Sequence, residues 1–209
     1  MFGIQHYWAF VGLGILLNLT PGNDTIYILT RGIGQGRKAA IYSVFGIGTG
    51  AVVHILMAAL GLSAIIATSA KVYLLIKYAG VIYLIFIGIK TLISKEQFQL
   101  NNNSSMMGLN RIFRQGFLTN LLNPKVALFF LSLLPQYVTP DNSYGPVPFL
   151  ILGLTFFTTG MIWCMVLAYS SSYFAQYLHS NPRTSTILQK GSGIAFILLG
   201  IKVAAERRL

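Results

Sequence analysis

Acidic side chains are nearly missing from this chain. Four Asp and Glu stand against fifteen Lys and Arg in 209 residues. That scarcity leaves no paired-carboxylate site and little material for enzymatic acid–base chemistry. Cysteine is scarcer still. Cys164 is alone, which excludes an intramolecular disulfide and any Cys-pair redox or zinc site. There is no metal-ligand spacing, no phosphate-cradling glycine loop and no Ser/His/Asp set with a supporting motif. The pattern is that of a non-enzyme, and no cofactor is expected. Charge of either sign is also short. Charged residues make up 9% of the chain, where a soluble domain carries about 25%. So few charges cannot coat a soluble surface, and no soluble domain fits anywhere. The net charge of +11 would elsewhere suggest nucleic acid. Here the basic residues sit in short gaps between apolar runs, where they suit orientation signals and contacts with anionic lipid headgroups. Lipid is the expected partner, and nucleic acid is not.

What the chain has in abundance is apolar length. Hydrophobic residues make up 55% of it, and its mean hydropathy is +0.67. Six runs, at about 6–29, 39–67, 71–93, 114–139, 147–171 and 186–206, each approach the ~20 residues needed to cross a hydrocarbon core of ~30 Å. The first run lacks a basic leader and continues too far for a cleaved signal, so it reads as a retained anchor. The stretch 94–113, with Lys95, Glu96, Asn101, Asn102, Asn103, Ser104 and Ser105, is the only sizeable polar segment.

Two pairs of segments resemble each other within the chain. Tyr83–Lys90 (YLIFIGIK) matches Ala195–Lys202 (AFILLGIK), and Gly14–Leu19 (GILLNL) matches Gly116–Leu121 (GFLTNL). Each member of the second pair runs into a proline, Pro21 or Pro124. Halves that each cross a membrane three times must be inverted relative to one another, and such repeats with broken helices build transporter sites at the bilayer midplane. The expected fold is therefore an all-α polytopic membrane protein with six transmembrane helices as two inverted three-helix repeats. The first helix of each half is broken at proline. One membrane domain covers 1–209, with repeat one at about 1–93, a cytoplasmic linker at about 94–113 and repeat two at about 114–209. Nine basic residues (Arg31, Arg37, Lys38, Lys90, Lys95, Arg111, Arg114, Arg183, Lys190) gather on one side. Five (Lys71, Lys77, Lys202, Arg207, Arg208) gather on the other. The excess of Lys and Arg marks the cytoplasmic side, so both termini are expected in the periplasm.

The candidate site lies at the breaks. Pro21 removes a backbone donor and Gly22 adds backbone freedom, so polar backbone around Asn18, Thr20 and Asn23 is freed at depth. This is tolerated only where protein or a water-lined cavity satisfies it. Asp24 follows at once; a carboxylate at mid-span costs about 2.5–3.5 kcal/mol on insertion scales. One reading makes it a cap on the second half-helix; the other makes it a proton-titrating or ammonium-binding group. In the fourth span, Asn120 and Asn123 share a helical face ahead of Pro124. Lys125 is the second buried charge, placed to neutralise Asp24 or to hold a substrate carboxylate. Gly46 and Gly50 form a small-xxx-small pair for close helix packing, and His54 one turn later reads as a hydrogen-bonded packing residue.

At these residues the chain resembles the LysE/RhtB family of amino-acid exporters. The resemblance covers nearly the whole length. It rests on Leu17-Asn18-Leu19-Thr20-Pro21-Gly22-Asn23-Asp24, on Arg31 through Ala39, on Phe113-Arg114-Gln115-Gly116-Phe117, and on Leu122-Asn123-Pro124-Lys125 through Phe130. The family pattern has a second proline after Thr-Pro-Gly, where this chain has Asn23, and the departure softens the expected bend. The resemblance implies export of small amino acids or close derivatives from the bacterial cytoplasm across the inner membrane, by proton antiport. Asp24 would be the proton-coupling group. Asn18, Thr20, Pro21, Gly22, Asn23, Asp24, Asn120, Asn123, Pro124 and Lys125 would form the substrate site. Homo-oligomerisation is left open. Two rival readings are efflux of a metal or other inorganic cation, which the dearth of acidic, His and Cys residues disfavours, and a non-transporting membrane assembly subunit.

Overall fold

The structure is a computed structural model that describes residues 2–62, 70–93, 106–139, 142–171, 173 and 182–205. Among these the chain is all-helical, with no strand beyond one antiparallel bridge between Ile4 and Val138. Helix α1 (Tyr7–Leu19) ends at Thr20, and α2 (Asn23–Gln35) resumes after Gly22. Helix α3 (Arg37–Met57) follows and runs on through a π-helical turn at Ala58–Leu62. Helix α4 spans Ala70–Ile93. The second half repeats the order. Helix α5 (Leu109–Leu121) breaks at 122–123, and α6 (Pro124–Leu128) continues through a π turn (Phe129–Leu133) and a 3-10 turn (Leu134–Tyr137). Two long helices follow, α7 (Val147–Tyr169) and α8 (Pro182–Ala205).

The breaks follow from proline. The residue before a proline is pushed out of the helical region by the ring, and both such residues are extended here: Thr20 at φ −65°, ψ 119° and Asn123 at φ −75°, ψ 108°. The second broken pair bends by 43°. Between α2 and α3 the chain turns on Gly36, whose φ of 83° is one that a side chain resists.

Two boundaries differ from expectation. Helix α5 starts at Leu109, inside the stretch assigned to the linker. Leu109, Ile112, Phe113 and Gly116 fall at i, i+3, i+4 and i+7, a helical apolar stripe, and Ile112 and Gly116 are buried. The basic pair Arg111 and Arg114 masked that stripe. Helix α2 runs on to Gln35, past the expected end at 29, because Arg31 and Gln35 find partners within the protein rather than water. The remainder of the expected linker, 94–105, and residues 63–67 of the second expected run lie outside the described residues.

By length and composition, Arg37–Gly61 and Val147–Tyr169 are each able to cross a membrane, and the bent α5–α6 pair passes the same test as one unit. Outward faces are apolar. Leu75, Ile82, Phe86 and Ile89 line one exposed stripe of α4, and Ile187, Ile194, Leu198 and Ile201 line one of α8. Leu75 is 71% exposed and Ile187 70%. Apolar stripes this long do not face water on a stable soluble surface. The interior holds two apolar clusters. One gathers Phe10, Leu17, Ile55, Phe129, Phe130, Phe149, Leu152 and Phe156. The other gathers Ile28, Leu29, Ala40, Val44, Ile47, Leu167 and Ala168. Along α1–α2, α3 and α7 alike, the polar residues described next fall between the two.

Candidate functional site

In an unbroken helix the N–H of residue 21 would bond to the carbonyl of Leu17, four residues earlier. Pro21 has none. The ammonium of Lys125 takes that place, donating to Leu17 O at 2.8 Å and to Thr20 O at 2.8 Å. Lys125 is delivered by the opposite half of the chain, from the first turn of α6. The side chain of Asn123 caps that turn by accepting from the Lys125 backbone N–H at 3.1 Å, and Pro124 occupies the first helical position, where a missing donor costs nothing. Thr20 turns its hydroxyl back onto Leu16 O at 2.7 Å, so its own carbonyl is left facing Lys125.

Asp24 stands in the first turn of α2, whose N-cap, Gly22, supplies no side-chain cap. Asp24 therefore sits where a helix dipole favours a negative charge. Asn120 Nδ2 donates to one carboxylate oxygen, Oδ2, at 2.8 Å. The other, Oδ1, is buried with no hydrogen-bond partner among the described residues. Asp24 and Lys125 form no ion pair within 4 Å among the described residues, although both face one small cavity. It is lined by Leu17, Asn18, Thr20, Gly22, Asp24, Thr25, Asn123, Lys125, Val126, Phe156, Trp163 and Cys164, and its volume is about 40 Å³. That is room for a water or two and far below the roughly 300 Å³ at which small-molecule pockets begin.

Two sets of contacts join the halves of the chain, one on each side of the breaks. At one end the N-terminal segment pairs with the end of the 3-10 turn: Gln5 N donates to Tyr137 O at 2.9 Å and Thr139 N to Gly3 O at 2.8 Å. At the other end α2 is latched to α5 and the segment before it. Tyr27 Oη donates to Ile112 O at 2.8 Å, Arg31 to Gln115 Oε1 at 3.2 Å and Gln35 Nε2 to Met107 O at 3.0 Å.

A small charged cavity thus lies between two broken helices, and comparison with known proteins gives the family. The model of the LysE type translocator matches residues 15–207. This chain belongs to the LysE type translocator family. The translocator is a membrane protein and not an enzyme. It is 29% identical to the homoserine/homoserine lactone efflux protein of Salmonella typhimurium, over 97% of this chain and 98% of that one. It is 26% identical to the leucine efflux protein of an Enterobacter species, over 98% and 97%, and 29% identical to the uncharacterized membrane protein YrhP of Bacillus subtilis, over 93% and 96%. No solved structure matches it.

Of the residues singled out in the sequence, the translocator brings Asn18, Thr20, Gly22, Asp24, Asn123 and Lys125 to the cavity. Asn120 reaches it through Asp24, and Pro21 and Pro124 set the breaks without lining it. Asn23 is exposed and does not line it. Asn18 donates to Thr159 Oγ1 at 3.1 Å, tying α1 to α7. Sequence reading missed Trp163 and Cys164, which come from an unbroken apolar helix. The one available signal was a tryptophan in mid-span rather than at an interface, where tryptophans gather. Gly46 and Gly50 do pack closely: a Cβ on Gly50 would sit 2.9 Å from Asn120 Cβ and 3.0 Å from Phe117 O.

Proposed function

We propose that this translocator exports small amino acids or close derivatives across the bacterial inner membrane by proton antiport, with both termini in the periplasm. The reading rests on one observation: a carboxylate with one oxygen unpartnered among the described residues and an ammonium that donates to two backbone carbonyls face the same small cavity where the two proline breaks meet. A zwitterion complements that pair. Its amine would take Asp24 Oδ1, and its carboxylate would draw Lys125 from Leu17 O and Thr20 O. Protonation of Asp24 and binding of the substrate amine then exclude one another, and that exclusion is antiport. The homoserine and leucine efflux relatives support an amino-acid cargo.

Six spans in two inverted repeats fit the packing. Helix α4 packs on α8, and α3 on α7, each with its own counterpart, while α3 on α5 is matched by α7 on α1. At the residue level, Gly50 of α3 abuts Asn120 of α5, and Gly160 of α7 abuts Asn18 of α1. The exposed stripes of α4 and α8 fall in the register that aligns Tyr83–Lys90 with Ala195–Lys202. In an alternating-access cycle the two sets of contacts would open in turn, because the cavity as it stands cannot admit a substrate.

The test is counterflow of leucine and homoserine in proteoliposomes under an imposed pH gradient. Asp24→Asn is expected to abolish proton-driven counterflow while the protein still folds. Counterflow at the wild-type rate and pH dependence would remove Asp24 as the proton carrier, and no counterflow of any amino acid by the wild type would remove the cargo.

A further inference from the structure

Pro124 creates the same deficit in the second half that Pro21 creates in the first. Four residues before it stands Asn120, whose carbonyl has lost the N–H that an unbroken helix would have offered. The carbonyl is buried, and leaving it short of a donor costs free energy. Its partners are the N–H of Asn123, at 2.9 Å, the imidazole Nε2 of His54, at 3.2 Å, and the N–H of Leu122, which it shares with Leu118 O. A carbonyl only accepts, so Nε2 carries the proton. The first break is built in the same way. The carbonyl of Leu17 takes the N–H of Thr20 at 3.2 Å and the ammonium of Lys125 at 2.8 Å. The arrangement is crossed: Lys125 comes from the second half to serve the first break, and His54 comes from the first half to serve the second.

His54 is built into this place. It is 4% exposed, one turn after Gly50, where α3 presses against α5 closely enough for a short reach. Its ring lies stacked at 10° on Phe130, with centroids 5.9 Å apart, which fixes the direction of the N–H. Asn120 then carries the link onward, because its side-chain amide is the donor to Asp24 Oδ2 at 2.8 Å.

We propose that His54 is a positioning residue: its Nε2–H replaces the donor that Pro124 lacks, and by holding the Asn120 backbone it aims the Asn120 amide at Asp24. The link from His54 to transport rests on the assignment of Asp24 made above; the link to the break does not. The first readout is therefore hydrogen exchange of the full-length protein in nanodiscs, followed across the segment 120–128. Losing one such bond should speed exchange there about fivefold in His54→Phe. His54→Gln, which carries an N–H donor at a similar reach, should stay within about twofold of wild type. The decisive arm is Pro124→Ala, which returns the missing backbone donor, so that adding His54→Phe should change exchange no further. This arm also remains readable if His54→Phe alone fails to accumulate, because the double variant should then recover. Equal exchange in His54→Phe and wild type, failure of His54→Gln to rescue, or an undiminished effect of His54→Phe beside Pro124→Ala would each overturn the proposal. The second readout is the KM for leucine counterflow, expected to rise in His54→Phe and to return in His54→Gln. If the exchange pattern holds while no amino acid moves, the positioning role stands and the transport reading falls.

Discussion

Lys125 carries two tasks with one ammonium, and the tasks compete. At rest it satisfies the carbonyls of Leu17 and Thr20; on the proposed cycle it must turn to a substrate carboxylate. Removing it leaves two buried acceptors short of a donor and Asp24 without a counter-charge in the cavity. Lys125→Met is therefore expected to lower stability by about 2–4 kcal/mol, measured by thermal unfolding in detergent. Adding Asp24→Asn should return part of that loss, because the stranded charge is gone while the stranded carbonyls remain. Full additivity of the two changes would mean that the groups do not sense each other across the cavity. At this scale the sequence was legible wherever polarity was out of place. An aspartate and a lysine inside apolar runs, and asparagines ahead of a proline, announce themselves. Trp163 and Cys164 do not, since they reach the cavity only because α7 happens to face it. The partner of Lys125 was legible only in part. Opposite charge suggested Asp24, but the deficit left by Pro21 is the stronger local demand.

Helices meet here through glycine. A Cβ on Gly46 would be driven into the carbonyl of Phe113, which is backbone of α5 and cannot step aside. Gly12, on α1, has nothing within 4 Å of the same position. Gly46→Ala should therefore cost about 1–3 kcal/mol by overpacking, while Gly12→Ala should be neutral or gain up to about 1 kcal/mol from helix propensity. Equal melting temperatures for the two variants would show that α3 and α5 are not held at this separation. Glycine spacing and the two prolines made the close pair and both breaks readable in advance. The end of α2 and the start of α5 are not, for one reason: Arg31, Gln35 and Arg111 are polar and so fall outside the expected runs. In the structure Arg31 and Gln35 bond to α5 and the segment before it, so their helix extends past the apolar run.

The halves of the molecule are joined on each side of the breaks by different means; if, as proposed, these contacts close the cavity in turn, the difference is testable with a residue the chain already has. One set is mainly backbone pairing of Gly3 and Gln5 with Tyr137 and Thr139, with the Gln5 side chain adding a bond to Gln136 O. The other is a side-chain latch, in which Arg31 and Tyr27 on α2 hold Gln115 and Ile112 on α5. Side-chain latches are removed by substitution and backbone pairings are not, so the Arg31 end is the one that mutation can open. Cys164 lines the cavity and is the sole cysteine of the chain, so a membrane-impermeant maleimide reports access to the cavity without background. Wild-type protein should react slowly from either face. Gln115→Ala removes the acceptor shared by Arg31 and Tyr27, and losing about 1–1.5 kcal/mol from the closed state should raise labelling about five- to tenfold. The rise should come from the Arg31 face alone. If the excess of basic residues marks the cytoplasm, that face is exposed in inside-out vesicles and hidden in right-side-out ones. Faster labelling in right-side-out vesicles would invert the topology while leaving the latch intact. Equal acceleration from both faces would mean that the latch holds the whole fold together rather than one mouth. Coupling between the mouths has a physical route, because both breaks lean on donors from the opposite half. A movement that loosens Lys125 from Leu17 at one break shifts α6, and the break that opens α6 is the one His54 serves from α3.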